Sequence, residues 1–286
     1  MGFKEKLKEI LKESLSEEEL SLLPRGFQSI GKVMIVKLNP KILKKKELVG
    51  KACLEINPYM KSVYINMGKI KGKFREPENI ELIAGEDDPI VEHKEHSVIY
   101  RFDLTKIMFS KGNINERKLL ATLVKDGEVI VDMFAGIGYF SLPIAKNSNP
   151  KKIYSIELNP ISHQFLVENI KLNHLEDVII PILGDCKQEV LNLSKQGIRA
   201  DRVIMGIFPA PKAFIKEALT LTKDDGTIFH YEGVVEKERY IDLYAEFNHI
   251  AEENKYICKL ISYRFVKSYG PNLYHVVLDI RVSEKN

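Results

Sequence analysis

Three apolar segments in the second half of the chain end in residues suited to holding a nucleoside. The stretch "VIVDMFAGIGYFSLPIAK" reads as a buried strand ending at Asp132, a turn carrying Gly136 and Gly138, and a helix. Glycines in such a turn let the backbone approach a ligand where a side chain would collide. Glu157 closes the next run, "KIYSIELNP", about twenty residues further on, where a carboxylate can accept both hydroxyls of a ribose. Asp185 closes the third, "VIIPILGDCK", placed to accept from an adenine amino group. Each also has a plainer reading, as a structural turn or a helix N-cap. Together they fit an adenosyl ligand. Position 141 is Ser, so the G-x-G-x-x-G pattern is incomplete, and no P-loop is present. S-adenosylmethionine is therefore the economical ligand.

These strand ends need a sheet to align them. From about residue 114 strands and helices alternate: "EVIVDMFAG", "KIYSIELN", "VIIPILGD", "ADRVIMG" and "GTIFHYEG" are continuous apolar runs with helical segments such as "SHQFLVENIKLN" between them. Runs of that kind are parallel strands covered on both faces. The last two, "YICKLISYRFV" and "LYHVVLDIRV", are joined by "KSYGPN" with no helix between, so they should pair antiparallel. The expected fold is α/β: a class I methyltransferase (Rossmann-like) doubly wound sheet with a terminal antiparallel hairpin over 105–286. A small α+β domain over 1–104 precedes it, where short runs such as "GKVMIVKL" and "SVYINM" alternate with charged turns.

Composition narrows the class further. With 286 residues, 44% of them hydrophobic, the chain can bury two cores. No run of eighteen apolar residues occurs, and "MGFKEKLKEILKESLSEEEL" is charged throughout, so no membrane association and a cytoplasmic location are expected. Cys53, Cys186 and Cys258 lack CxxC spacing, and the seven histidines show no metal spacing, so no required metal is expected.

The stretches "FSKGNINER", "VIVDMFAGIGYFSLPIAK", "IELNP", "ENIKLN", "GDC", "ADRVIM" and "SYGPNLYHVVLDIRV" resemble, in order, the tRNA methyltransferases that modify N1 of guanosine at position 37. They resemble equally the related tRNA aminocarboxypropyl transferases of the wybutosine pathway. The likeness runs from about residue 25 to the end. It implies S-adenosylmethionine as donor and the anticodon region of tRNA(Phe) as partner. It also implies that Ser110 and Arg117 contact the donor, Arg117 by gripping the methionine carboxylate. Cys186, beside Asp185, joins the cofactor-binding set. Glu116 of "NINER" matches a general base, and Arg75 of "GKFREPE" matches an arginine that stabilises charge on the target base. The competing readings are a capping or salt-bridged Glu116, an Arg117 on a helix surface and an exposed Arg75.

The two branches differ at the fourth strand end. The N1-methyltransferases carry Asn-Leu-Pro there, and the Asn holds the nitrogen nucleophile near the S-methyl group. Here "DRVIMGIFPAPKAF" puts Gly206 in that place, and glycine has no side-chain amide. The aminocarboxypropyl branch carries Met-Gly. Three carbons are bonded to a sulfonium, and the one presented in line is attacked. The resemblance thus implies transfer of a 3-amino-3-carboxypropyl group to C7 of 4-demethylwyosine at position 37 of tRNA(Phe), releasing methylthioadenosine. The alternatives are a guanosine-37 N1-methyltransferase with a backbone-only site and a non-catalytic, S-adenosylmethionine-dependent RNA-binding protein.

Two basic runs bear on the RNA. "KILKKKEL" supplies Lys41, Lys44, Lys45 and Lys46, and "MGKIKGKFR" supplies Lys69, Lys71, Lys73 and Arg75. One such run is ordinarily a solvated face. Two in one small domain suggest phosphate contact, which would be salt-dependent and largely blind to sequence.

Overall fold

The apolar runs Val33–Val36 and Ser62–Asn66 pair in parallel because the helix Lys46–Ile56 carries the chain back between them. Gln28–Ile30 and Ile80–Gly85 add antiparallel on the two sides to give a four-stranded sheet. Val49 of that helix packs with Leu7, Ile42, Val63 and Ile65 in a core of its own. The computed structural model describes residues 1–68, 70–72, 74 and 76–285, apart from the side chains of Ile70 and Lys71. It divides into two units, residues 1–94 with 99–109 and residues 95–98 with 110–286, so the division falls five residues beyond the one expected at 104.

In the second unit the strands are β1 (Val129–Asp132), β2 (Lys152–Glu157), β3 (Ile179–Leu183), β4 (Arg202–Met205), β5 (Thr227–Glu236), β6 (Tyr256–Gly270) and β7 (Leu273–Glu284). Their spatial order is β3-β2-β1-β4-β5-β7-β6. The first five are parallel, and β7 pairs antiparallel with both β5 and β6. The helices are α1 (Ile114–Leu123), α2 (Ser141–Asn147), α3 (Pro160–Leu172), α4 (Cys186–Lys195), α5 (Ile215–Leu219) and α6 (Tyr240–Glu253). The strand order reverses between β1 and β4, which opens a crevice at the carboxyl edge there.

Side-chain alternation divides the sheet into two faces of different chemistry. Val131, Val203, Met205, Phe229 and Leu278 enter one apolar core with Phe247 of α6. Asp132, His230 and Glu232, one position out of phase, lie on the opposite face and are also buried.

The structure moves two strand limits. β5 continues past Gly233 to Glu236, and a Cβ at Gly233 would lie 2.7 Å from Leu243, so this glycine serves close packing of α6 and not a turn. β6 runs through Lys267, Ser268, Tyr269 and Gly270, leaving only Pro271 and Asn272 as the connection. As an edge strand with three register shifts, β6 keeps pairing where its sequence is no longer apolar.

Candidate active site

The turn after β1 is held by the end of β2. Gly136 and Gly138 have φ of +57° and +96°. A Cβ on either would also collide inside the turn, 2.5 Å from the Tyr139 ring and 2.6 Å from Leu142 respectively. Glycine is therefore demanded by the turn itself as much as by any ligand. Glu157 joins the pieces: Oε2 accepts from the Gly136 amide and Oε1 from the Asn159 amide, each at 2.7 Å. Asn159 in turn caps α3 by accepting from the Ile161 amide at 2.9 Å. Each Glu157 oxygen retains a lone pair, and two such acceptors side by side match vicinal hydroxyls. Burial raises the Glu157 carboxyl above its ordinary range, while the backbone hydrogen bonds pull it back.

Asp132 ends β1 inside the sheet. It accepts at Oδ2 from the Ser141 hydroxyl at 2.7 Å, and Ser141 accepts from Ser155 at 2.7 Å. Position 141, where a dinucleotide fingerprint has its third glycine, is thus used to hold a carboxyl. Burial pushes Asp132 up to about 7, against the opposing Ser141 hydrogen bond, and Glu157 and Glu232 add repulsion.

Asp185 is the exposed N-cap of α4, with Oδ1 accepting from the Lys187 amide at 3.0 Å. Cys186 beside it is buried in the core, and desolvation pushes its thiol up to about 12, so it is an apolar wall and not a thiolate.

Glu116 and Arg117, adjacent on α1, are both buried, but neither side chain is presented openly. Arg117 donates from Nε and Nη2 to the two oxygens of Glu95 at 2.6 and 2.8 Å, and from Nη1 to the Ser110 carbonyl at 3.1 Å. In this arrangement the guanidinium is committed to Glu95 and is not a surface group. A methionine carboxylate would have to compete with that bidentate pair. Glu116 receives Arg264 of β6 in the same fashion, with Nε at 2.8 Å from Oε2. Action as a general base would require breaking that pair, which joins α1 to the terminal hairpin. The Ser110 hydroxyl accepts from Lys267 at 3.0 Å. Arg75, Lys69 and Lys73 lie outside the described residues, as does the side chain of Lys71.

Sequence reasoning passed over the polar face behind this edge. Arg264 also donates to Asp279 at 2.6 Å, Asp279 pairs with His230 Nδ1 at 2.6 Å, and His230 Nε2 meets Arg202 at 2.6 Å. Burial lowers the affinity of His230 for a second proton, so the ring is neutral, with Nδ1 donating to Asp279 and Nε2 accepting from Arg202. Burial alone would raise Asp279, but His230 and Arg264 outweigh it and hold the carboxyl below its ordinary range. Toward the carboxyl edge, Glu232 of β5 accepts from His275 of β7 at 2.9 Å. The signal for this layer is in the strands: "HYE" and "HVVLD" place ionisable residues two and four apart within apolar runs.

Gly206 lies at the end of β4, next to Glu232. A Cβ there would come within 3.1 Å of the Phe140 ring and 3.2 Å of Glu232 Oε1. The space that a longer side chain needs is thus bordered closely by an aromatic edge and a carboxylate. Phe208 follows, its ring 4.6 Å from that of His275.

In the first unit Lys41 pairs with Glu18 at 3.4 Å and Lys46 with Glu81 at 2.5 Å, while Lys44 and Lys45 are exposed and make no ion pair among the described residues. Among the described residues no group of three or more His, Cys, Asp or Glu could hold a metal ion, and no helix is long and apolar enough to cross a membrane.

A seven-stranded sheet of this order, with a glycine turn after β1 and a ribose-matching carboxylate at the end of β2, defines a class I methyltransferase-type domain. Residues 91–260 match the TRM5/TYW2 methyltransferase domain and residues 7–88 match the TYW2 N-terminal domain. The chain belongs to the TRM5/TYW2 family. It is 40% identical over 259 residues to the tRNA(Phe) (4-demethylwyosine(37)-C(7)) aminocarboxypropyltransferase of Methanocaldococcus jannaschii, covering 89% of this chain and 97% of that one. It is 33% identical over 261 residues to the tRNA 4-demethylwyosine(37)-methyltransferase Taw21 of Saccharolobus solfataricus, covering 91% of this chain and 94% of that one. The crystal structure of Pyrococcus horikoshii TYW2 in complex with MeSAdo matches with a TM-score of 0.81 at 33% identity, covering 98% of this chain and 99% of that one.

Proposed function

We propose that this chain transfers the 3-amino-3-carboxypropyl group of S-adenosylmethionine to C7 of 4-demethylwyosine at position 37 of tRNA(Phe), with release of methylthioadenosine. The observation that carries this reading is Gly206. No side-chain amide is available at the fourth strand end to hold a nitrogen nucleophile, and Phe140 and Glu232 border the space it would need. The aminocarboxypropyltransferase relative supports the choice of acceptor.

The residues divide the work by position. Glu157, fixed by two backbone amides, takes the ribose hydroxyls, and the turn it braces sets the height of the adenosine above β1. Asp185 reaches the adenine from its N-cap position, and Cys186 closes the wall beneath it. In the transfer, an electron pair of the acceptor carbon forms the bond to the γ-carbon. The sulfur–carbon bonding pair stays on sulfur, which becomes a neutral thioether, and the acceptor carbon sheds its proton. The positive charge on sulfur is lost along this path, so a water-poor edge lined by carboxylates favours binding of the cation and relies on in-line geometry for the rate. Lys44 and Lys45 of the first unit contact tRNA phosphates.

The test uses two preparations of S-adenosylmethionine, labelled in the methyl or in the carboxyl carbon, with tRNA(Phe) carrying 4-demethylwyosine. Carboxyl label is expected in the tRNA and methyl label in methylthioadenosine. Methyl label in the tRNA, with S-adenosylhomocysteine released, would place this chain with its methyl-transferring relatives instead.

A further inference from the structure

Glu232 is a buried carboxylate that the reaction as described does not use. It is 2% exposed, and His275, which is fully buried, donates to its Oε2. Its other oxygen, Oε1, faces the Gly206 position and accepts no hydrogen bond among the described residues. The second nitrogen of His275, Nδ1, is buried without a partner. Oε1, unlike His275 Nδ1, is not closed off, so a carboxylate otherwise buried keeps one oxygen accessible to a ligand, where a cation would complete it. The polar layer beside it shows what completion looks like, since both Asp279 oxygens there are matched by donors.

The location says which cation fits. Glu232 stands beside β4 at the carboxyl edge, and it is close enough to Asp132 for the two carboxyls to repel. The donor assigned to that edge carries two cationic centres, the sulfonium and the ammonium of its methionine arm. Glycine at 206 leaves Oε1 open, whereas a longer side chain there would stand between the carboxylate and the donor. A carboxylate at this point attracts the arm's ammonium and repels the arm's carboxylate, which fixes the direction in which the arm lies.

Resting on the donor named above, we infer that Glu232, held by His275, receives the ammonium of the methionine arm in the space left by Gly206. It thereby orients the carbon chain that is transferred. Glu232 is a specificity-determining residue on this account: it acts on the arm and not on the adenosine.

Three ligands separate this role from others. S-adenosylmethionine has the arm and the sulfonium, S-adenosylhomocysteine the arm on a neutral sulfur, and methylthioadenosine neither. Calorimetric titration of wild type and Glu232→Gln should show S-adenosylmethionine and S-adenosylhomocysteine weakened tenfold or more, the scale of one hydrogen bond to a charged group. Methylthioadenosine should bind within twofold of wild type. Weakening of S-adenosylmethionine alone would mean the carboxylate answers the sulfonium, equal weakening of all three would mean it only shapes the pocket, and no weakening would remove it from the site. Each of these outcomes overturns the inference. If the variant does not fold, Gly206→Ala provides the same comparison, because its Cβ lies 3.2 Å from Oε1 and should weaken the two arm-bearing ligands selectively. Unselective behaviour there would overturn the inference equally. Wild type that bound none of the three would instead sink the donor assignment.

Discussion

The two polar regions of the second unit contain the same kinds of residue in opposite states of completion. In the layer running from Arg202 through the neutral ring of His230, Asp279 and Arg264 to Glu116, hydrogen bonds at 2.5 to 3.0 Å link each group to the next. At the carboxyl edge, Asp132, Glu157 and Glu232 have no lysine or arginine partner among the described residues, and the field of the other two helps raise Asp132 to about 7. A closed network of that sort fixes structure. Carboxylates gathered at one edge with no cation beside them mark where a cation is expected to arrive, because neutral donors meet their hydrogen bonds without cancelling their charge. Burial by itself thus separates nothing: Glu116 and Glu232 are equally hidden, and only their partners tell them apart.

The sharpest break of this contrast is to open the closed network. Arg264→Met removes a cation from both carboxylates: Asp279 keeps His230 and Ser262, while the buried Glu116 is left with no partner among the described residues. A loss of about 3–5 kcal/mol in unfolding free energy is expected by denaturant titration. S-adenosylmethionine affinity of the folded fraction should stay near wild type. A small stability loss combined with a large fall in turnover would reverse the assignment and return Glu116 to a catalytic role. At the open edge the opposite pattern should hold. Glu157→Ala should weaken S-adenosylmethionine by about 1.5–3 kcal/mol in calorimetry, the range for hydrogen bonds to a charged group, with the fold retained. Unchanged affinity would remove Glu157 from the ribose.

The sequence showed this edge better than the layer behind it. β1 to β5 were legible because strands buried on both faces are continuous apolar runs, and Gly136, Gly138, Glu157 and Asp185 stood out at their ends. Glu232 and His230 did not stand out, since each sits inside such a run and needs the β5–β7 register to find its partner. The commitments of Arg117 to Glu95 and of Glu116 to Arg264, 148 positions apart, are likewise tertiary facts with no local spacing. The end of β6 was misjudged for another reason. An edge strand needs only one neighbour, so polar "KSYG" continues the ladder. At Gly136 and Gly138 the plainer reading, a structural turn, has a physical ground that only the fold shows, since the turn's own Tyr139 and Leu142 require glycine there.

A smaller effect tests how unfavourable the open edge is. Asp132 has a folded-state value of about 7 against a reference of 3.8, so folding favours its protonated form. Its contribution to stability is complete below about pH 4 and is lost as pH rises toward 7. Between those limits Asp132 should lower stability by on the order of 1 kcal/mol per pH unit as pH rises. Asp132→Asn cannot ionise and still accepts from Ser141, so its stability should fall less steeply across that window in denaturant titrations at several pH values. Parallel curves for variant and wild type would mean that Asp132 is already satisfied as an anion, and the contrast between the two regions would narrow.

The smallest effect carries the same reasoning to the surface of the first unit. Lys41 and Lys46 each have a carboxylate partner, Glu18 and Glu81, whereas the neighbouring Lys44 and Lys45 make no ion pair among the described residues. A lysine already facing a carboxylate offers little net charge to a phosphate. Uncommitted lysines displace counterions from RNA, and each phosphate contact on single-stranded nucleic acid steepens the dependence of log affinity on log salt by about 0.7. Replacing Lys44 and Lys45 by Ala should therefore flatten the salt dependence of tRNA(Phe) binding by roughly 1 to 2 in slope. Replacing Lys41 and Lys46 should change it less, and neither pair should alter S-adenosylmethionine affinity. These slopes are read from binding isotherms at four or five salt concentrations. Equal slopes for wild type and the Lys44/Lys45 variant would make that run solvated surface, and a larger change from the paired lysines would mean that their carboxylates yield to RNA.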